Sequence, residues 1–256
     1  MALVMNPPVA LSVAGSDPSG GAGVAADITT FAALGVHGTA VITAVTAQNT
    51  VGVQGVHPVP AHFVAQQLDS VLDDLPVAAV KTGMLANRDI IAVVGDYAAA
   101  GRLPNLVVDP VMVSSTGARL LDTGAEVLYL ELLKYATVAT PNVREAAVIR
   151  EMAGLNELDE LGRLCPGCLV VTGETTAVDR VHHHGGWTEL AGEMVETAND
   201  HGTGCTFASA VAAGLATGVE PVDAIAAAKG FVRRCIVRSA DWDLGMGRGP
   251  VAHLID

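Results

Sequence analysis

Aromatic residues are scarce, with four Phe, three Tyr and two Trp among 256 residues. The core must therefore come from Ala, Val and Leu, since half of the chain is hydrophobic. Cysteine is also sparse. Cys165, Cys168, Cys205 and Cys235 are too few to staple a chain of this length, which points to a reducing, cytoplasmic setting. No run approaches the roughly 18 apolar residues that a membrane helix needs. Met1 to Pro8 carries no basic residue ahead of its apolar part, so no signal peptide is expected. Positive charge is in deficit: 14 Lys and Arg face 27 Asp and Glu, a net charge of −13. Such a chain is repelled by phosphate backbones, which argues against nucleic acid or an anionic membrane as partner. Internal repeats, low-complexity tracts and linkers are missing too. The reading is one domain over 1–256.

What is present is alternation. Val-rich runs at Val9 to Ala14, His37 to Val45, Val77 to Lys81, Leu106 to Asp109, Ala136 to Ala139 and Leu169 to Thr172 read as strands. Between and beyond them, helices are expected at Val24 to Leu34, Pro60 to Asp73, Asp89 to Ala100, Thr123 to Leu133, Val143 to Met152, Gly204 to Ala216 and Val222 to Ser239. Val51 to Val59 alternates but is punctuated by glycine, as a strand or flap outside the main sheet would be. Val181 to His184 and Trp187 to Leu190 read as a hairpin around Gly185-Gly186. Repeated strand–helix alternation predicts an α/β fold, with a mostly parallel sheet covered by helices on both faces. Such sheets bind ligands beyond the C-terminal ends of their strands. The polar punctuation falls at those ends: Gly15-Ser16-Asp17, Lys81-Thr82-Gly83, Asp109, Asn142 and Gly173.

The segment richest in chemistry is Asn199-Asp200-His201-Gly202-Thr203-Gly204-Cys205-Thr206, just before an Ala-rich helix. Glycines there let the backbone approach a ligand, and the free amides and helix dipole favour an anion. A thiol in the first turn would have its thiolate favoured by the same field. A site of this kind suits phosphoryl transfer. Spacing alone leaves a plain glycine turn with a small buried cysteine equally open. It is not a Walker loop, because no Lys-Ser or Lys-Thr follows the glycines.

In order along the chain stand Ala14 to Gly23 with Ala26-Asp27, Thr43 to Thr50, Lys81 to Leu85, and Val108 to Ser114. Then come Thr140-Pro141-Asn142 with Glu145-Ala146, the turn at 202–205, and Gly247 to His253. This series resembles the hydroxymethylpyrimidine and phosphomethylpyrimidine kinases of thiamine biosynthesis, within the ribokinase-like superfamily. The resemblance implies a three-layer α/β/α sandwich and ATP-dependent phosphorylation of 4-amino-5-hydroxymethyl-2-methylpyrimidine and its monophosphate. It implies that Cys205 assists deprotonation while the backbone of Gly202, Thr203 and Gly204 holds the transferring group. It places Gln48, Gly15, Asp27, Met84 and Val111 around the pyrimidine. Asn142, Thr172, Gly202 and Gly204 would face the nucleotide, and Asp109 and Glu145 would face Mg²⁺. A homodimer is implied as well.

Several of these residues have plainer readings. Asn142 and Glu145, three apart at a helix start, match a capping pair. Met84 matches a core position, and Asp27 a solvated helix position. The chain also departs from the family. Thr172-Gly173-Glu174-Thr175 stands where Lys-Gly-Gly-His is usual, which removes a cation expected near ATP, and Asp200 replaces a threonine. The rival activity is a pyridoxal, pyridoxine or pyridoxamine kinase. A reading from another class is a catalytically weak ligand-binding homologue. Cys165-Pro166-Gly167-Cys168 precedes a strand and reads as a surface turn, not a redox pair. His182-His183-His184 reads as exposed structure, and Lys81 and Lys229 as partners of the surplus acids.

Overall fold

The computed structural model describes residues 6–113, 117, 120–122, 124–173 and 176–253. Its strands are β1 (Val9–Ala14), β2 (His37–Ile42), β3 (Ala44–Asn49), β4 (Gly52–Pro58), β5 (Val77–Thr82), β6 (Val107–Val108), β7 (Val138–Ala139), β8 (Cys168–Val171), β9 (Val178–His183) and β10 (Gly186–Ala191). Its α-helices are α1 (Gly23–Ala33), α2 (Ala61–Leu72), α3 (Arg88–Ala99), α4 (Val127–Leu133), α5 (Val143–Met152), α6 (Thr203–Ala216) and α7 (Pro221–Ser239). Leu158–Leu164 forms a 3₁₀ helix that the sequence pattern does not signal. Thr123, the expected start of the fourth helix, lies outside the described residues, as do Ser114, Glu174 and Thr175.

The main sheet has eight strands in the order β10-β9-β8-β7-β6-β5-β1-β2. Pairing is parallel from β2 through β8 and antiparallel where β9 joins β8 and β10. The strands alternate between two apolar layers because the side-chain period is two. Leu11, Val13, Val80, Val108 and Leu169 pack with Leu68, Ile90, Leu132 and Ile149 of α2 to α5. Ala10, Ala79, Val107, Val138 and Val170 pack on the other face with Phe31, Val211, Ile225 and Phe231 of α1, α6 and α7. The result is the three-layer α/β/α sandwich. Among the described residues no helix is long and apolar enough to cross a membrane.

Two local expectations are corrected. The run His37 to Val45 is not one strand. The chain breaks at Thr43, whose N–H donates to Ala14 O at 3.0 Å and whose hydroxyl donates to Met84 O at 2.5 Å. It then leaves the main sheet as β3, which pairs with β4 in a separate two-stranded flap. The hairpin turn is His184-Gly185, both with positive φ (49° and 79°), as a type I′ turn requires, not Gly185-Gly186.

The chain runs outward from β1 to β2, then returns to β5 on the other side of β1. The switch point of the sheet is therefore the gap between β1 and β5, where ligands of open α/β sheets bind.

Candidate active site

All polar strand ends named from sequence meet on the C-terminal edge, because β1, β5, β6, β7 and β8 run parallel. At the switch point Gly15 follows β1 and Met84 follows β5. A Cβ at Gly15 would lie 2.2 Å from Met84 Cε, so the tip of the methionine covers this turn and would have to move for a larger residue. Met84 is 7% exposed. Val111, half-buried, packs against the apolar layer beneath. Gln48 sits on the flap beside a register shift at Ala47/Gln48. A bulge of this kind re-aims a side chain. The Gln48 amide makes no hydrogen bond to the protein among the described residues, so its donor and acceptor are both available.

The turn before α6 is held from both sides. Gly202 has φ 89°, and a Cβ there would lie 1.8 Å from Gly21 O. Next to it, His201 Nε2 lies 2.8 Å from Asp17 Oδ2. Asp17 also accepts from the Ser19 and Ala22 amides, each at 2.9 Å. Burial works against the Asp17 carboxylate, yet the bonds from His201 and Ser19 keep it below the ordinary range. Gly202 brings no capping side chain, and Gly204 is exposed with open space where a Cβ would point. The Gly204 and Cys205 amides have no backbone partner among the described residues. The turn thus presents its amides outward, unobstructed by its own side chains.

The C-terminal segment ties this turn to the flap. Gly247 N–H and Arg248 N–H donate to Thr50 Oγ1 and Thr50 O, at 3.2 and 3.1 Å. His201 N–H donates to Gly249 O at 3.0 Å. Arg248 Nε donates to Asp200 Oδ1 at 2.7 Å. The acid that departs from the family pattern is thus neutralised on the spot.

Cys205 is half-buried, in the first turn of α6. The expectation of a favoured thiolate is corrected. Burial pushes the thiol up to about 12; Lys81 opposes the shift, whereas Asp27 and Asp109 add to it. Asp27 has no exposed surface, which corrects the reading of a solvated helix position. Its carboxylate is filled by Lys81 Nζ at 2.9 and 3.0 Å, Ser12 Oγ at 2.5 Å and Ser209 Oγ at 2.7 Å.

Asp109, 5% exposed at the end of β6, is pushed up to about 6 by burial, against the pull of Lys81 and with a contribution from Asp27. Its Oδ2 has no hydrogen-bond partner among the described residues and lies 3.8 Å from Lys81 Nζ. Thr82 Oγ1 and Thr140 Oγ1, at neighbouring strand ends, are likewise buried without hydrogen bonds. Unpaired oxygens of this kind fit a hard cation that keeps waters. Asn142 and Glu145 do form the capping box: Asn142 Oδ1 accepts from the Arg144 and Glu145 amides at 2.9 and 3.0 Å, and Glu145 Oε2 accepts from Asn142 N–H at 2.9 Å. That box takes an acceptor of each away from a ligand. No cluster of three or more His, Cys, Asp or Glu suited to a metal occurs among the described residues.

Thr172 pairs with Asn142 in an isolated bridge, stitching the β7 and β8 loops together. Gly173 N–H donates to Asp179 Oδ1 at 3.0 Å, and Lys229 Nζ donates to Asp179 Oδ2 at 2.7 Å. The pairing expected of Lys229 with a surplus acid is there. The Cys-x-x-Cys reading needs amendment: both sulfurs are buried, in opposite layers of the sandwich, and only the intervening turn reaches the surface. Sequence reasoning missed Ser12, Ser209 and the Asp17–His201 pair. Ser12 carried a faint signal, as the single polar residue of an apolar strand, and Ser209 a fainter one inside an Ala-rich helix.

This sheet, its switch-point pocket wall and its outward amide turn define a ribokinase-like small-molecule kinase. The chain belongs to the phosphomethylpyrimidine kinase family, whose pattern it matches over residues 17–252. It is 44% identical to the hydroxymethylpyrimidine/phosphomethylpyrimidine kinase of Rhizobium meliloti, covering 96% of both chains. It is 42% identical to a thiamine biosynthesis bifunctional protein of Geobacter sulfurreducens, over 96% of this chain and 52% of that one. Among solved structures, the ADP complex of Bacillus subtilis pyridoxal kinase superimposes with a TM-score of 0.85 at 34% identity, covering 97% of this chain and 98% of that one.

Proposed function

We propose that this chain phosphorylates the hydroxymethyl group of 4-amino-5-hydroxymethyl-2-methylpyrimidine with ATP, and then phosphorylates the resulting monophosphate, in thiamine biosynthesis. The single observation that carries this reading is the pairing of a free Gln48 amide on the flap with an unobstructed amide turn at 202–205. Family membership supports the chemistry. Residues 1–256 act as one kinase unit in this reading. A second copy as partner rests on the family resemblance, and a cytoplasmic setting on four free thiols.

Gln48 orients the ring by its amino and ring-nitrogen edge, while Gly15, Met84 and Val111 supply the apolar wall. The hydroxymethyl oxygen attacks the γ-phosphorus, the bond to the β–γ bridging oxygen breaks, ADP leaves, and the hydroxyl proton passes to an oxygen of the transferred phosphoryl group and from there to solvent. The amides of Gly204 and Cys205 take the charge on the transferring oxygens, as preorganised donors do. Gly202 and Thr203 shape the turn that aims them. Cys205, a thiol at rest, orients the acceptor hydroxyl; the loose transition state of phosphoryl transfer asks little of a base. Thr172 and Asn142 border the nucleotide. Magnesium, when bound, neutralises phosphate charge, and Asp109 would hold it, with Glu145 behind a water. Its support is the set of buried oxygens without hydrogen bonds at the strand ends: Asp109 Oδ2, Thr82 Oγ1 and Thr140 Oγ1.

The test is a coupled ADP-release assay with the pyrimidine, its monophosphate and pyridoxal side by side. Turnover of both pyrimidines above pyridoxal is expected. Turnover of pyridoxal alone would sink the reading in favour of a pyridoxal kinase. Binding of both substrates without ADP release would make the chain a ligand-binding homologue.

A further inference from the structure

Lys81 is the one lysine among the largest fully buried side chains of the described residues. It lies near the end of β5, a strand packed against α6, whose first turn carries the outward amides. Both N–H···O contacts to Asp27 are charge-assisted, at 2.9 and 3.0 Å. Ser12 on β1 and Ser209 on α6 complete the shell of Asp27, at 2.5 and 2.7 Å. Three donor groups therefore make four hydrogen bonds to one carboxylate, which holds the ammonium in place. The next acid within reach of Lys81 is Asp109, at 3.8 Å.

Stability gives little reason for this arrangement. A buried ion pair costs much of its Coulombic gain in desolvation, and apolar replacements of similar volume are often neutral or stabilising. Ser12, the one polar residue of β1, and Ser209 on α6 add two more buried polar groups. The location offers a different reason. In a dry interior a fixed charge acts over several ångströms with little screening. Lys81 Nζ lies 3.8 Å from Asp109 Oδ2, and its strand packs against α6, whose first turn carries Cys205.

We propose that Lys81 is a positioning residue for phosphoryl transfer, its ammonium fixing the Asp109 carboxylate and standing as a permanent positive charge behind the amides of Gly204 and Cys205. It touches no substrate, since it has no exposed surface. The substrate binds through Gln48, the pocket wall and the turn; Lys81 acts on the charge that develops as the phosphoryl group moves. Loss of Lys81 therefore changes kcat and leaves KM nearly alone. The inference rests on the kinase reading above.

Lys81→Met by itself strands a buried Asp27 carboxylate and endangers the fold. The working variant is Lys81→Met/Asp27→Asn, which removes both charges together; the amide keeps an acceptor oxygen for one serine and offers its NH2 to the hydroxyl oxygen of the other. Circular dichroism and thermal melting establish that it folds. Calorimetry gives the binding of ATP and pyrimidine, and steady-state assays give kcat and each KM beside the wild type. The expected result is a folded protein that binds both substrates within about threefold of wild type, with kcat lowered roughly 100-fold or more, the scale of a lost electrostatic group. A folded double variant with kcat within about threefold of wild type, whatever its melting temperature, makes Lys81 merely structural and overturns the inference. A wild type that releases no ADP with either pyrimidine overturns the underlying reading instead.

Discussion

A thiol whose pKa stands near 12 is protonated throughout the neutral range, and Cys205 is such a thiol. Its nucleophilicity toward an alkylating reagent follows the thiolate fraction. Below the pKa that fraction grows about tenfold per pH unit. Iodoacetamide labelling of Cys205, followed by peptide mass spectrometry, should therefore accelerate steadily between pH 7 and 9 without a plateau. The other three cysteines are buried and should lag behind it. A plateau near neutral pH would show a stable thiolate and restore Cys205 as a ready base. The same residue shows where sequence reading stops. The helix-dipole argument was legible in Gly202-Thr203-Gly204-Cys205. The opposing burial and the acids Asp27 and Asp109 come from elements far away in the chain. Asp27 and Lys81 are 54 residues apart, and Asp17 and His201 are 184 apart. No local pattern announces such partners.

At the scale of elements, the turn before α6 depends on glycine for two separate reasons. Gly202 adopts φ 89°, where a side chain is strained, and it abuts the Gly21 carbonyl. Gly202→Ala should push the turn away from the β1 loop. The cost to stability is on the order of 1–3 kcal/mol. Thermal melting should register it, and KM for ATP should rise as the amides lose their aim. Gly204→Ala is the control, since nothing lies within reach of its Cβ; it should leave the melting temperature almost unchanged. Equal destabilisation by both substitutions would contradict this account of the turn. Element types were legible wherever apolar periodicity and stop signals agreed, as in β1, α3 and α7. The flap was half legible. Glycines in Val51 to Val59 set β4 apart, but the departure at Thr43 depends on hydrogen bonds to Ala14 and Met84, which only the assembled sheet brings near. The capping box at Asn142 was legible from spacing alone.

For the whole molecule, the strand order decides where chemistry can happen. Placing β5 beside β1 opens the sheet at one point and gathers Gly15, Met84 and Lys81 there. The flap and the turn at 202–205 flank this point and are joined through Thr50, Gly247 and Arg248. A net charge of −13 surrounds it, so an anionic substrate must be held by local donors against the general field. The amides of the turn before α6 are the donors the fold offers there. The edge itself was readable from polar residues at strand ends; which of them face a ligand and which face each other was not.

The most direct test is a crystal structure of the protein with hydroxymethylpyrimidine and a non-hydrolysable ATP analogue. It should show the ring hydrogen-bonded to Gln48, the terminal phosphate on the amides of Gly204 and Cys205, and the hydroxymethyl oxygen in line between them. A ring bound away from the flap, or a phosphate seated elsewhere with the turn at 202–205 left bare, would contradict the account.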